Sequence, residues 1–253
     1  MKKNDGKTEA ECALCRRVAR LCNSHIISEF FYKTVYDEKH RFMKISTDTS
    51  KRIKPSPKGV YERLLCFTCE RRLRGWETYA SGVYREAVAH IQKNGQNFTI
   101  NVVYPKFKLF AMSLLWRSGV SKRPEFAAVT LGKHEEILRR MLDTENPGQF
   151  YEYGVSIFFP PDPKAREVFG CAISSPQHER NGLHHIYRFM LGMTFWLFPV
   201  SSQMHKENPV IFSLHNDGTL KVRSGGEPTM EFLRRFSAEI AAANAKRPVA
   251  GAP

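Results

Sequence analysis

The sequence has no long apolar run and is short of acidic residues. Its most apolar stretch, residues 189–200, is too short and too interrupted to span a bilayer, so no membrane partner is expected. No apolar segment follows Met1, Lys2 and Lys3, which predicts that the chain has no signal peptide and is cytoplasmic. Internal repeats and low-complexity tracts are also absent from the sequence. Hydrophobic residues make up 42% of the chain and charged residues 25%, as in an ordinary folded globular protein.

The shortage of acidic residues leaves a net charge of +14, from 39 Lys and Arg against 25 Asp and Glu. The excess is uneven, because residues 1–93 carry 20 basic and 11 acidic side chains, a net of +9. A basic segment of this kind favours a polyanionic partner, since each phosphate that it neutralises releases condensed counterions. A generally basic protein without such a partner has the same composition, so charge alone leaves both interpretations open.

Cysteines are few, six in all, but four of them form two Cys-x-x-Cys pairs: Cys12 with Cys15, and Cys66 with Cys69. In a reducing cytoplasm such pairs are more often metal ligands than disulfides. Four thiolates are the number that a closed tetrahedral zinc site requires, and each pair can bend so that both sulfurs point at one ion. The sequence therefore predicts a structural zinc ion bound by these four residues, with redox-active pairs as the alternative.

Hydrophobic periodicity predicts an α+β fold with a mostly antiparallel sheet. Helices are predicted over residues 66–92, 106–118, 132–143 and 229–243, with Asn94-Gly95 ending the first. Strands are predicted over residues 97–103, 151–159, 167–174, 184–191 and 194–199, with a hairpin of 210–215 and 219–223 around Asn216-Asp217-Gly218. We predict a zinc module with a long basic loop and a helix over residues 1–93, an α+β domain over 94–245, and a disordered tail over 246–253.

A short motif, Asn23-Ser24-His25-Ile26-Ile27, lies between the two cysteine pairs. Together with both pairs it resembles the HNH (His-Me finger) superfamily, in the variety whose zinc is held by four cysteines in a treble clef. The resemblance covers residues 12–77 and implies an N-terminal treble-clef zinc module that takes part in metal-dependent hydrolysis of nucleic acid, DNA more than RNA. It further implies that His25 is the general base, that zinc is architectural, and that a separate Mg²⁺ or Mn²⁺ ion stabilises charge on the phosphate.

The chain departs from the pattern of this superfamily at the expected ligands of the catalytic ion. Ser24 stands where an Asp or His commonly precedes the catalytic histidine, and the asparagine expected before the second cysteine pair is absent. The helix residue expected to be His or Asn is replaced by Glu70 or, further along the helix, by Glu77, and we predict these as ligands because carboxylate oxygens suit magnesium. The alternatives are a histidine that serves packing and glutamates on a solvated face, which would make the chain a catalytically inactive zinc-finger module that binds nucleic acid or a protein partner.

Basic residues are concentrated in and after residues 34–60, a segment that we expect to be a long loop or a loose hairpin. Aromatic residues are interleaved with them, so this region could follow a phosphate backbone and stack on bases. A solvated loop is the competing interpretation. The predicted nucleic-acid contacts are Arg52, Lys54, Lys58, Arg71, Arg72 and Arg74.

Overall fold

The structure, a computed structural model, describes residues 9–39, 41–44, 54–56, 59–170, 172–181, 184–201 and 212–225, together with residues 234, 238 and 242. These residues form helices and three sheets, which confirms the α+β class. Of the predicted nucleic-acid contacts, Arg52 and Lys58 lie outside the described residues, as does most of the predicted helix 229–243.

The N-terminal part is a small three-stranded sheet followed by a long helix. Its elements are β1 (Glu9–Glu11), β2 (Val18–His25), α1 (Glu29–Tyr32), β3 (Phe42–Lys44), β4 (Lys54–Ser56), β5 (Tyr61–Cys66) and α2 (Phe67–Asn94). The strands pair in the order β1-β2-β5, all antiparallel, while β3 and β4 form a separate antiparallel pair. The β3–β4 pair agrees with the hairpin that was one of two expectations for residues 34–60.

The C-terminal part is a six-stranded mixed sheet with helices before and within it. Its elements are β6 (Phe98–Asn101), α3 (Tyr104–Val120), a 3₁₀ turn (Pro124–Phe126), α4 (Lys133–Asp143), β7 (Ser156–Phe159), α5 (Pro163–Gly170), β8 (Gln177–Asn181), β9 (His184–Leu191), β10 (Thr194–Val200) and β11 (Thr219–Ser224). The strand order is β6-β11-β7-β10-β9-β8, and every pairing is antiparallel except the parallel β11–β7 pair. The sheet is therefore mixed but mostly antiparallel.

The prediction of a strand over residues 167–174 is wrong for its first half, because α5 (Pro163–Gly170) occupies it. The Asp162 side chain accepts a hydrogen bond from the Ala165 amide at 2.8 Å, which satisfies an otherwise unpaired donor of the first turn. Pro163 also favours this helix start, because its fixed φ suits the first helical position. Capping chemistry therefore overrides the alternating pattern that favoured a strand.

Helix α2 ends where the sequence predicts. Gly95 adopts a left-handed conformation with φ of +62°, and its amide donates to the Ile91 carbonyl at 3.1 Å. A glycine reaches this backbone region without the steric cost of a Cβ atom. Gly75 and Gly82 lie inside α2 and do not interrupt it.

Helix α3 is buried along most of its length and packs against both α2 and α4. Aromatic side chains join this helix to both parts of the chain: Phe31 of α1 meets the Trp196 ring of β10 edge-on at 5.8 Å, and Phe110 of α3 meets it at 6.0 Å. Segments 1–93 and 94–245 thus contribute to one continuous apolar core. Their division into two domains stays a prediction.

Candidate metal centre and histidine site

The four paired cysteines converge at one end of the small sheet. The sulfur atoms of Cys12, Cys15, Cys66 and Cys69 all lie within 4.8 Å of one another. Cys15 and Cys66, 51 residues apart in sequence, have their sulfurs 3.8 Å apart. The cluster can therefore bind a metal ion such as zinc.

The first pair is held by a tight turn between β1 and β2. The Arg16 amide donates to the Cys12 carbonyl at 2.9 Å, and the Cys12 amide donates to the Arg17 carbonyl at 2.9 Å. Arg16 has a positive φ of 62°, which reverses the chain just after Cys15. The Ala13 amide donates to the Leu64 carbonyl at 3.0 Å, so the turn is pinned to β5.

The second pair stands at the start of α2, with Cys66 as its N-cap residue and Cys69 in its first turn. The Cys66 amide donates to the Cys12 sulfur at 3.2 Å, which joins the two pairs. Burial raises the pKa of Cys12, and burial together with the charge of Cys12 raises the pKa of Cys69. A cation between the sulfurs would offset this cost, since a bound metal deprotonates its thiol ligands.

The spacing of the sulfurs distinguishes a metal site from a disulfide. Two sulfurs on a tetrahedral zinc ion with Zn–S bonds of about 2.3 Å are separated by about 3.8 Å, which matches the 3.8 Å between Cys15 and Cys66. A disulfide requires about 2.05 Å, and all four cysteines are free thiols. Cys22, also free, is not part of the cluster.

His25 ends β2, and its imidazole is held from two sides. Its Nε2 lies 2.6 Å from Oε2 of Glu29, and its ring centroid lies 3.9 Å from that of Tyr61. The other oxygen of Glu29 accepts a hydrogen bond from the Tyr36 hydroxyl at 2.8 Å. Because a carboxylate accepts from Nε2–H, Nδ1 is left as the proton-accepting nitrogen.

The environment of His25 favours its neutral form. Burial lowers its pKa below the ordinary 6.5, while the negative charge of Glu29 and its hydrogen bond act in the opposite direction. The side chain keeps 20% of its surface exposed, so the imidazole is accessible from solvent. A neutral, oriented and accessible imidazole is what a general base requires at neutral pH.

Glu70 and Glu77, the predicted ligands of a catalytic ion, both accept hydrogen bonds from serines that flank His25. Ser24 donates to Glu70 at 2.6 Å, and Ser28 donates to Glu77 at 2.6 Å. Across the part of the chain that the structure describes, the four cysteines are the one group of three or more potential ligands that lie close together. Neither glutamate therefore joins His25 in a preassembled three-ligand site.

Arg117 of α3 reaches into this network, although it is 92 residues from His25 in sequence. Its Nη1 donates to the His25 carbonyl at 2.6 Å and lies 2.8 Å from Oε1 of Glu77. Its Nη2 donates to the Ser28 hydroxyl at 3.2 Å. The side chain is only 2% exposed, so a buried arginine fixes the chain at His25 and at Ser28, three residues later.

The described nucleic-acid candidates differ in their surroundings. Arg71 and Arg74 are exposed on α2, and the Arg71 guanidinium lies 5.9 Å from the ring centroid of Phe67. Arg72 instead donates to the Asp143 carbonyl at 2.7 Å and joins α2 to the end of α4. The backbone of Lys54 lies in β4.

Sequence reasoning did not identify Glu29, Tyr36 or Arg117 as site residues. The four-residue spacing from His25 to Glu29 was available as a signal, but it is informative only once a turn is known to follow β2. The sequence around Arg117 gave no indication of its role, because it is a single charged residue near the end of a mostly apolar helix. Its contacts with the His25 region depend on how α3 packs.

The fold and the site together define an α+β protein with a four-cysteine cluster suited to a metal ion. None of the protein-family models, curated proteins and solved structures compared with the chain matches it. The HNH resemblance and the treble-clef assignment therefore rest on the motif residues and stay predictions. No helix in the described ranges is long and apolar enough to cross a bilayer.

Proposed function

We propose that the chain is an HNH-like nuclease that hydrolyses nucleic-acid phosphodiesters, DNA more than RNA, with His25 as the general base. One observation carries the proposal: the imidazole of His25 is oriented through Nε2 by Glu29 and leaves Nδ1 to accept a proton. A base of this kind accelerates attack by water when its pKa is near or below the working pH. Burial lowers the pKa of His25 in that direction.

Zinc, held by the four cysteines, is architectural in this proposal. It fixes the turn before β2, the strand that ends at His25, and it fixes the start of α2, the helix that carries Glu70 and Glu77. A closed four-thiolate shell leaves no position for substrate, so the zinc itself takes no part in the chemistry. Its contribution is to the stability and geometry of the module.

Magnesium or manganese would stabilise the charge that develops on the phosphate and the leaving oxygen. Magnesium is usually bound through one or two carboxylates together with substrate phosphates, so a preassembled site with three protein ligands is not required. Glu70 and Glu77 remain the proposed carboxylates. Their bonds to Ser24 and Ser28 each use one carboxylate oxygen as acceptor.

The same serine contacts favour a second candidate, a catalytically inactive zinc module that binds nucleic acid or a protein partner. If Glu70 and Glu77 only brace β2 and the turn after it, neither carboxylate is available to hold a catalytic ion. The ion pair between Glu77 and the buried Arg117 supports such a bracing role. The two candidates differ in whether the chain cleaves nucleic acid and, if it does, whether the cleavage requires His25.

A plasmid-cleavage assay with Mg²⁺ and with Mn²⁺ separates them. Wild type should nick or linearise the plasmid, and His25→Ala should lose about a hundredfold or more of that activity. His178→Ala is the matched control, because this histidine is exposed on β8. Absence of cleavage by wild type in both metals, or equal cleavage by His25→Ala, would refute the nuclease and leave the binding module.

A further inference from the structure

A pocket of about 430 Å³ opens between β2, β5 and the first turn of α2. It is lined by Arg20, Leu21, Cys22, Asn23, Arg63 and Phe67. Its volume lies in the range of small-ligand sites. The residues that line it combine an exposed aromatic ring, Phe67, with the positive charges of Arg20 and Arg63.

Phe67 contributes the aromatic ring. Its side chain is 69% exposed at the start of α2, so it adds little to the core. The Arg71 guanidinium lies 5.9 Å from the ring centroid, within the range of a cation–π contact. An exposed ring with an adjacent guanidinium is the arrangement on which proteins stack unpaired bases.

Arg63 and Arg20 contribute positive charge beside that ring. Both side chains are exposed, and neither forms an ion pair with any acidic residue in the described ranges. Asn23 lies directly opposite Arg63 in the β2–β5 register, so an amide and a guanidinium share one face of the three-stranded sheet. These groups suit a phosphate and the polar edge of a base.

The same face leads to His25. The register of β2 and β5 shifts between Cys22 and Asn23, and beyond the shift it is regular, with Asn23 opposite Arg63 and His25 opposite Tyr61. Residues two apart on a strand share a face and lie about 7 Å apart. Asn23 and Arg63 of the pocket lining therefore share a face of the sheet with the proposed general base, while Ser24 turns the other way to Glu70.

We propose that this pocket binds one unpaired nucleotide of a single-stranded or locally opened nucleic acid, with its base on Phe67 and its phosphate against Arg63. The proposal rests on the proposed nucleic-acid function and specifies the form of the substrate. Bases inside a duplex are already stacked on their neighbours, so a stacking platform in a pocket requires an unstacked base. The next phosphate of the same strand would then lie toward His25.

Fluorescence anisotropy of the full chain with a labelled oligothymidylate of about ten nucleotides tests the pocket. Phe67→Leu should weaken binding about tenfold, the loss expected for one stacked base. Ile137→Ala, another exposed apolar side chain, should bind as wild type does. Phe67→Trp should keep the affinity, and its new tryptophan should lose fluorescence when a base stacks on it. Trp76, Trp116 and Trp196 are buried, so the change can be assigned to position 67.

The salt dependence of binding tests the role of Arg63. Arg63→Ala should reduce the slope of log K against log[salt] by about 0.7, the share of one single-strand phosphate. Arg85→Ala, an exposed arginine farther along α2, is the matched control and should leave the slope unchanged. Arg63 is preferred to Arg20 because Glu9 lies opposite Arg20 in the β1–β2 register.

Three outcomes would overturn the pocket proposal. They are a failure of wild type to bind the oligothymidylate, equal binding of it by wild type and Phe67→Leu, or a loss of affinity in Phe67→Leu that is as large for a duplex of the same length as for the single strand. A fourth outcome would also overturn it. If unlabelled oligothymidylate fails to displace the labelled strand, but an acidic peptide does so and needs Phe67 to bind, the pocket belongs to a protein partner. If wild type binds the oligothymidylate through Phe67 but cleaves no plasmid in either metal, the nuclease fails while the nucleotide pocket stands.

Discussion

The guanidinium of Arg117 donates a hydrogen bond of 2.6 Å to the main-chain carbonyl of His25. This bond joins α3, the most buried helix, to the end of β2, where the candidate catalytic histidine stands. The same guanidinium pairs with Glu77 of α2 at 2.8 Å. The position of His25 is therefore determined by residues outside the motif that carries the resemblance, as well as by the cysteine cluster.

Replacing Arg117 with methionine should destabilise the fold. The change leaves the His25 carbonyl without its arginine donor and the Glu77 carboxylate without its cation, which should lower the free energy of unfolding by about 3 kcal/mol. This value is at the lower end for a broken buried pair, because Glu77 keeps 20% of its side chain exposed. Urea unfolding measures the loss, and Arg85→Met should stay within about 0.5 kcal/mol of wild type. Equal midpoints for all three proteins would contradict the bracing role of Arg117.

Replacing Cys69 with serine should release the metal. Three thiolates and a hydroxyl bind zinc far less tightly than four thiolates, and binding free energy contributes directly to folding in a site of this kind. Elemental analysis of fresh wild-type protein should give about one zinc per chain, and Cys69→Ser should give well under half. Cys22→Ser is the matched control, since this half-buried thiol lies outside the cluster. A zinc content that falls equally in both variants would contradict the assignment of ligands.

Replacing Glu29 with glutamine should shift the pH profile of cleavage. The charge and hydrogen bond of Glu29 raise the pKa of His25, so their loss should lower that pKa further. Because a general base acts in its deprotonated form, the rising limb of kcat/KM against pH should move to lower pH. The plateau should fall at least about tenfold, since the neutral amide no longer stabilises the imidazolium.

The control for this experiment is Glu86→Gln, which changes an exposed carboxylate on α2. Its pH profile should match that of wild type. A Glu29→Gln profile that moves to higher pH, or that keeps both the limb and the plateau of wild type, would show that Glu29 does not act through His25.

Local signals were sufficient to predict several elements. The four cysteines and the helices α2, α3 and α4 follow from spacing and apolar periodicity, and Gly95 marks the end of α2 because its φ is positive. By contrast, β8 (Gln177–Asn181) is a polar edge strand with no apolar alternation, so periodicity gave no sign of it. Helices with their own apolar pattern could be predicted from the sequence. The helix α5, which starts at a cap, and the strand β8, which depends on its pairing partner, could not.

The candidate site divides in the same way. His25 could be proposed from its motif, but its partner Glu29 depends on the turn into α1, and Arg117 approaches from 92 residues away. The pocket at Phe67 was also missed, because an aromatic residue inside a helix pattern is normally expected in the core. Phe67 is exposed because it lies on the opposite side of the first turn of α2 from the buried Cys69, two residues later.

Replacing Lys108 with methionine should destabilise the protein in a pH-dependent way. Lys108 lies fully buried in α3, where its ammonium donates to the carbonyls of Glu152 at 2.6 Å, Tyr153 at 3.0 Å and Phe150 at 3.4 Å. Methionine leaves these carbonyls without a donor, which should cost about 2 kcal/mol near neutral pH. Lys106→Met, on the exposed side of the same helix, should cost less than about 1 kcal/mol.

The pH dependence follows from the titration of this lysine. Burial lowers the pKa of Lys108 from 10.5 to about 7. Between these two values the unfolded chain binds more protons at this position than the folded chain, so the contribution of Lys108 to stability rises with pH across that window. The difference in free energy of unfolding between wild type and Lys108→Met should therefore widen from pH 7 to pH 9. Urea titrations at both pH values measure it, and a constant difference would mean that Lys108 stays protonated inside the fold throughout.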